Sequence, residues 1–191
     1  MTTTRKTLAL CLATAASAML AFAAPAQAAS PATLSDTGVG GCVRPSNNAW
    51  GTSGSYAYVY IYDSATEYSR QSVHINSSSM DGDLYECNNG YNRTGGSYSY
   101  TNHWQADGTG ITSCTIAVGS TGCSISSGTV ASNTYSHSGS NTTGTVSYSG
   151  GGWNIYTKST GYLDTLAHSA NVTFSYSSWA TEAGSANQFN F

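Results

Sequence analysis

The chain has 191 residues, of which only 8% are charged, and its formal net charge at pH 7 is -3. Without a cluster of lysines or arginines it lacks the basic surface with which proteins bind nucleic acids or anionic membranes. Glycine- and serine-rich segments also occur in disordered proteins, but those are poor in aromatic residues, whereas Tyr and Trp occur throughout this chain. Composition therefore predicts a folded, hydroxyl-rich protein that does not bind nucleic acid.

The first 28 residues have the pattern of a secretory signal peptide. Arg5 and Lys6 form a short positive region, an apolar stretch follows, and the small-x-small sequence at Ala26–Ala28 is typical of a cleavage site. The apolar stretch is therefore interpreted as a signal sequence rather than a membrane span, which predicts a secreted, extracellular protein. Residues 29–41 are expected to form a loose N-terminal arm before a single domain over residues 42–191.

Period-two alternation of polar and apolar residues, interrupted by Gly, Asn and Ser, recurs along the chain and predicts short strands. The clearest candidate is SYAYVYIYD at 55–63. Further candidates are RQSVHIN at 70–76, DLYEC at 83–87, GSYSYTNHW at 96–104, ITSCTIAV at 111–118, CSISS at 123–127, a hairpin within GTVSYSGGGWNIYT at 144–157, and ANVTFSYSSW at 170–179. Many short strands separated by frequent turn signals predict an all-β fold, an antiparallel β-sandwich or jelly roll.

Four cysteines follow the expected cleavage site, and an even number in a secreted chain predicts two disulfides. The simplest of the three possible pairings joins Cys42 to Cys87 and Cys114 to Cys123. A tight hairpin between Cys114 and Cys123 would offset them by about 13 Å, which is too far for a disulfide. Either the segment is a broad loop closed by the bond, or the pairing is different. The spacings lack the C-x-x-C pairs of a zinc site.

The first clear strand carries a ladder of tyrosines on one side. Alternation places Tyr56, Tyr58, Tyr60 and Tyr62 together, with Ala57, Val59 and Ile61 on the opposite side. Rings repeated about 7 Å apart form a platform on which sugar rings stack, while the phenol hydroxyls bond at the rim. The alternative is a structural role, in which both faces of the strand are covered and cross-strand aromatic pairs stabilise the sheet.

Two tryptophans lie in contexts typical of loops or turns. Trp50 is within NNAWGTSG, and Trp153 follows three glycines. An exposed indole ring at such a position is a candidate ligand anchor. The alternative for either residue is a place in the core.

Acidic residues cluster in SMDGDLYEC, where Asp81 and Asp83 share one side of an extended chain and Glu86 follows. Calcium takes six to eight oxygen ligands, and neighbouring carbonyl groups or asparagines would have to complete the set. The EF-hand pattern is absent, so this is a weak calcium candidate, and the alternative is a solvated acidic turn. Nothing in the sequence requires a cofactor.

An enzymatic alternative uses Glu67 and Glu86 as acid and nucleophile, which requires the two carboxyl groups to lie about 5 Å apart. In size and in Tyr, Ser, Gly and Asn content the chain resembles small secreted jelly-roll glycan hydrolases, whose catalytic glutamates are widely separated in sequence; Glu67 and Glu86 are close. A lyase would instead pair a strand histidine with a tyrosine, for example His74 with Tyr156 or Tyr162.

The sequence favours a secreted, non-catalytic binding module whose ligand is a neutral polysaccharide or an extracellular protein, held by exposed Tyr and Trp side chains. The first alternative is a small glycan hydrolase or lyase. The second is a structural subunit of an extracellular assembly, in which the arm over residues 29–41 adds as a strand to a partner's sheet.

Overall fold

A computed structural model describes residues 30–44, 54–88, 90, 96–115, 123–140, 143–176 and 179–191. The predicted signal sequence and the candidate anchor Trp50 lie outside the described residues. Within the described part of the chain, no helix has the length and apolarity needed to cross a membrane.

The described residues form an all-β, antiparallel fold, as the alternation predicts. The strands are β1 (Ser30–Val39), β2 (Ser55–Ser69), β3 (Ser72–Glu86), β4 (Ser97–Thr115), β5 (Ser124–Ser126), β6 (Val130–Ser140), β7 (Thr145–Gly150), β8 (Trp153–Tyr176) and β9 (Trp179–Asn190). Several are longer than the short segments expected, because β-bulges let a strand continue past an irregular residue without ending.

The strands form one sheet in the order β1-β2-β3-β8-β4-β6-β5, in which β7 also pairs with β3 and β9 with β8. The start of β8 pairs with the start of β3, for example Trp153 with Ile75. Further along, β3 pairs with β7 instead, and β8 runs between β4 and β9. Because β3 and β8 each change partner, the sheet divides there and folds over, so that β1 and β2 contact β9 without pairing with it. A specific sandwich or jelly-roll topology stays a prediction.

The core lies between the facing parts of the sheet. Its first cluster joins one side of β2 and β3 to β8, and includes Val59, Ile61, Met80, Leu84, Val172 and Phe174. The second cluster includes Trp104, Trp153, Ile155, Leu163, Leu166 and Phe189. Trp153 is only 4% exposed, so the expectation that it anchors a ligand from a turn is wrong. It is the first residue of β8, and the pairing of β8 with β3 turns its ring into the core.

Residues 30–39 differ from the loose arm expected from the sequence, because they form β1 and pair with β2 along their whole length. Gly38 lies so close to Gly184 of β9 that a Cβ there would overlap the Gly184 carbonyl oxygen. Asp36 adds a hydrogen bond, its Oδ2 accepting from the backbone N–H of Ala186 at 3.0 Å. The segment thus extends the sheet of its own chain.

Both predicted disulfides are confirmed. The Cα atoms are 6.0 Å apart in each pair, within the range that a disulfide spans. Cys114 lies near the end of β4 and Cys123 directly precedes β5, so the bond closes the connection between these strands. Two disulfides in a chain of this size indicate an oxidising, extracellular environment.

Candidate functional site

The tyrosine ladder lies on the outward side of β2. Ala57, Val59 and Ile61 are fully buried, which fixes the alternate residues Tyr56, Tyr58, Tyr60 and Tyr62 on the opposite side. The first three are half-buried and Tyr62 is 38% exposed. The rings are thus neither in the core nor fully covered, and the ladder remains available as a surface.

The neighbouring strand extends this surface. In the register of β2 and β3, Tyr85 lies opposite Tyr56, Asp83 opposite Tyr58 and Asp81 opposite Tyr60. Residues opposite each other in an antiparallel pair point to the same side of the sheet, so these side chains flank the ladder. We call the outward side chains of Tyr56, Tyr58, Tyr60, Tyr62, Tyr85, Asp81 and Asp83 the tyrosine face.

At the end of the tyrosine face nearest the start of β2, the rings form an aromatic cluster. The ring of Tyr85 stacks on Tyr56 with centroids 5.5 Å apart and contacts Tyr58 edge-on at 6.1 Å. The Tyr85 hydroxyl donates a hydrogen bond to Asp83 Oδ2 at 3.4 Å. Burial and the nearby Asp83 carboxyl group both raise the pKa of Tyr85, so its hydroxyl keeps its proton and remains a donor at neutral pH.

A hollow of about 420 Å³ opens beside the two aspartates, where β7 borders β3. Its lining combines Asp81 and Asp83 with Thr145, Val146 and Ser147. At the edge of this aromatic surface, hydroxyl groups donate and accept hydrogen bonds and carboxylates accept them. This combination suits a ligand that has both apolar faces and hydroxyl groups.

No protein-family model, curated protein sequence or solved structure matches this chain.

The glutamates of the enzymatic alternative are not brought together. Glu86 lies opposite Ser55 at one end of the β2–β3 pair, and Glu67 lies opposite Val73 near the other end. Twelve residues of β2 separate Ser55 from Glu67, which at the rise of a strand is roughly 40 Å. A carboxylate pair for glycoside hydrolysis needs about 5–10 Å. The expectation of a Glu67–Glu86 catalytic pair is wrong, because the two residues occupy opposite ends of one long hairpin.

The histidine of the lyase alternative, His74, is already engaged. Its Nδ1 atom lies 2.7 Å from Asn154 Oδ1, a cross-strand neighbour. Tyr156 pairs with Ser72, one outward position further along β3. Tyr162 is in another part of β8 and lies under the guanidinium of Arg70, 5.8 Å from its ring centroid. No acid–base geometry between His74 and either tyrosine is evident.

The calcium candidate also fails on geometry. Asp81 and Asp83 do share one side of β3, as expected from their spacing. Glu86 is two positions after the buried Leu84, so strand alternation directs it to the side of β3 opposite Asp81 and Asp83. Among the described residues, no group of three His, Cys, Asp or Glu side chains is placed to hold a metal ion.

A second aromatic cluster, which the sequence did not predict, lies on the inner side of β4, β6 and β7, against the core. Tyr100 contacts Tyr98 at 6.3 Å and Tyr135 at 6.1 Å, and Tyr135 contacts Tyr148 at 5.1 Å. Burial, followed by the charge and hydrogen bond of Tyr135, raises the pKa of Tyr100 to about 12. Tyr98 and Tyr100 are alternate residues of β4, and the pairing of β4 with β6 brings Tyr135 beside them. Tyr148 comes from β7, which pairs with β3, so strand alternation alone could not show the whole cluster.

A buried polar network lies deeper in the fold. Asp63 accepts a hydrogen bond from Ser78 Oγ at 2.6 Å and contacts His168 Nδ1 at 3.0 Å. Ser78 Oγ in turn accepts from Trp104 Nε1 at 2.9 Å, and His168 Nε2 lies 3.0 Å from Asn102 Oδ1. The residue types are those of a hydrolytic triad, but the geometry is not.

In a triad the serine and the carboxylate contact opposite ring nitrogens of the histidine. Here Ser78 and Asp63 both face Nδ1, the serine at 3.4 Å. All three residues are at most 3% exposed. The network is structural. Its signal in the sequence was Asp63 itself, a polar residue with the same parity as Val59 and Ile61.

Proposed function

We propose that this protein is a secreted, non-catalytic module that binds a neutral polysaccharide through the tyrosine face. The observation that carries the proposal is the row of four outward tyrosines on β2, extended by Tyr85 and bordered by hydrogen-bonding groups. Aromatic rings present an apolar surface to the C–H groups of a sugar, and the surrounding hydroxyls and carboxylates match the sugar's hydroxyl groups.

Charge supports a neutral ligand. The strands that form this part of the sheet, β1, β2, β3 and β7, contain no lysine or arginine. Asp81 and Asp83 instead give the face a negative potential, which disfavours nucleic acids and acidic polysaccharides. A polymer without charge carries no such penalty.

The test is a pull-down of the oxidised protein on insoluble cellulose, chitin, xylan and peptidoglycan, with each supernatant assayed for released sugar. We expect at least one polymer to retain the protein and none to release sugar. Replacing both Tyr60 and Tyr62 with alanine should abolish retention. The matched control replaces the same two residues with phenylalanine, which keeps the rings and should keep most of the binding.

Two results would count against the proposal. Retention that is unaffected by the double alanine variant would place the ligand elsewhere on the protein. Release of sugar by the wild-type protein would make it an enzyme, with catalytic groups other than the separated Glu67 and Glu86.

A further inference from the structure

The outward side of β2 continues past the ladder as a polar section. Ser64 and Thr66 follow Tyr62 at alternate positions, and Asn76 Nδ2 donates to Ser64 Oγ at 3.3 Å and to Thr66 Oγ1 at 2.9 Å. Asn76 is the extra residue of a β-bulge in β3, since Ser64 pairs with Ser77 and Ala65 pairs with Ile75. The bulge places an amide on the surface and keeps the sheet continuous.

A second pair of tyrosines lies beyond this polar section. Tyr68 is near the end of β2 and is 51% exposed, and Tyr156 is 43% exposed. Tyr156 of β8 lies opposite Ser72 of β3, next to the buried Val73, so it shares the outward side of the sheet. Tyr68 is twelve positions after Tyr56, at a second register shift between Glu67 and Ser69. This separation corresponds to roughly 40 Å of surface at the rise of a strand.

The orientation of the rings argues against a flat ligand. Tyr85 is inclined by 25° to Tyr56 and by 79° to Tyr58. Antiparallel strands in general also twist along their length. A flat crystalline surface requires coplanar rings, whereas a single flexible chain follows a twisted surface.

We propose that the two groups of tyrosines form one elongated site that binds a single extended polysaccharide chain lengthwise, with Tyr68 and Tyr156 as a second aromatic subsite. The inference rests on the proposed function. It adds that the ligand is a single chain rather than a crystal surface, and that affinity increases with the length of the chain.

The test measures affinity by calorimetry for soluble cello-, xylo- and chito-oligosaccharides of increasing length. For the wild-type protein, affinity should increase until the oligosaccharide spans both tyrosine groups. Replacing Tyr68 and Tyr156 with alanine should weaken binding of the longest oligosaccharide roughly tenfold, the effect of losing two aromatic contacts. Binding of the shortest oligosaccharide that the wild type binds should be unchanged, because it needs only the ladder.

Controls separate a binding effect from a folding effect. The corresponding double phenylalanine variant keeps both rings and should bind as the wild type does. An unchanged urea unfolding midpoint would show that the alanine variant is folded. Acid-swollen cellulose and chitin should retain more wild-type protein than their microcrystalline forms.

The inference is wrong if the Tyr68/Tyr156 alanine variant binds the longest oligosaccharide as the wild type does, or if microcrystalline polymer is preferred. In either case the proposed function stands, with the ladder as the whole site. If the wild-type protein binds no polymer and no oligosaccharide, the proposed function itself fails.

Discussion

The buried network makes a strong prediction about stability, because neighbouring serines on β3 have opposite surroundings. Ser78 is 3% exposed and bonded to Asp63 and Trp104. The next residue, Ser79, points outward, and its hydroxyl makes only a long hydrogen bond of 3.5 Å to the Tyr62 carbonyl oxygen. The same Ser→Ala change at the two positions therefore isolates the buried hydrogen bonds.

The expected magnitude follows from the two hydrogen bonds of the Ser78 hydroxyl. Ser78→Ala removes the hydrogen bond to the Asp63 carboxyl group, a contribution of roughly 1–3 kcal/mol. It also leaves the indole N–H of Trp104 buried without an acceptor, which costs about 1–3 kcal/mol more. Together the free energy of unfolding should fall by roughly 2–6 kcal/mol. Ser79→Ala should change it by less than about 0.5 kcal/mol, as is usual at the surface.

Equilibrium unfolding in urea, followed by tryptophan fluorescence and by circular dichroism, measures the difference. With a slope of about 2 kcal/mol/M, the Ser78→Ala midpoint should lie about 1–3 M below that of the wild type. A shift as small as that of Ser79→Ala would show that the buried hydrogen bonds of Ser78 do not stabilise the fold. The Ser78 hydroxyl would then contribute nothing that water or a rearranged neighbour cannot replace.

Three further predictions concern the termini, the disulfides and the inner tyrosines. Gly38→Ala should destabilise the protein by about 2 kcal/mol or more, because the added Cβ overlaps β9. Gly41→Ala should not change stability, because no atom lies within 4 Å of its added Cβ. Equal decreases in melting temperature for the two variants would show that the close approach of Gly38 to β9 is unimportant. Removing the Cys42–Cys87 disulfide, which closes a 45-residue loop, should lower the free energy of unfolding by about 4 kcal/mol. Removing Cys114–Cys123, which closes a nine-residue loop, should lower it by about 2.5 kcal/mol. A lower urea midpoint for the variant without Cys114–Cys123 than for the variant without Cys42–Cys87 would contradict this order. Because an unfolded tyrosine ionises near pH 10 and folded Tyr100 at about 12, the unfolded state binds fewer protons between these values, and the free energy of unfolding should decrease as pH rises through that window. Tyr100→Phe should lessen this decrease, measured by unfolding at several pH values, and an identical decrease would show that Tyr100 is not responsible.

Much of the local structure was predictable because strand alternation is a local property. The parity of residues 55–63 placed the four tyrosines on one side before any partner strand was known, and β2 confirms it. The disulfide pairing was also predicted, and Cys114 near the end of β4 is joined to Cys123 just before β5. Parity says which residues share a side, but not which side another part of the sheet covers.

The errors arose where pairing between distant segments decides the outcome. Trp153 follows three glycines and was expected to be exposed, but the pairing of β8 with β3 buries it. Glu67 and Glu86 are close in sequence, yet a hairpin of two long strands holds them at opposite ends. Residues 30–39 lack strong alternation, but they form a strand because they pair with the edge of β2. The glycine at position 38 allows this strand to lie against β9, where a Cβ would overlap Gly184.

The all-β class, the two disulfides and the side of β2 on which the tyrosines lie were predictable from the amino-acid sequence, since each depends on composition or on spacing within one segment. The pairing of the strands places Tyr85, Asp81 and Asp83 beside the ladder, and the folded chain brings Asp63 into contact with a histidine 105 residues away. These arrangements depend on strand register and on how the sheet folds over, which are fixed by many long-range contacts acting together and not by any one segment.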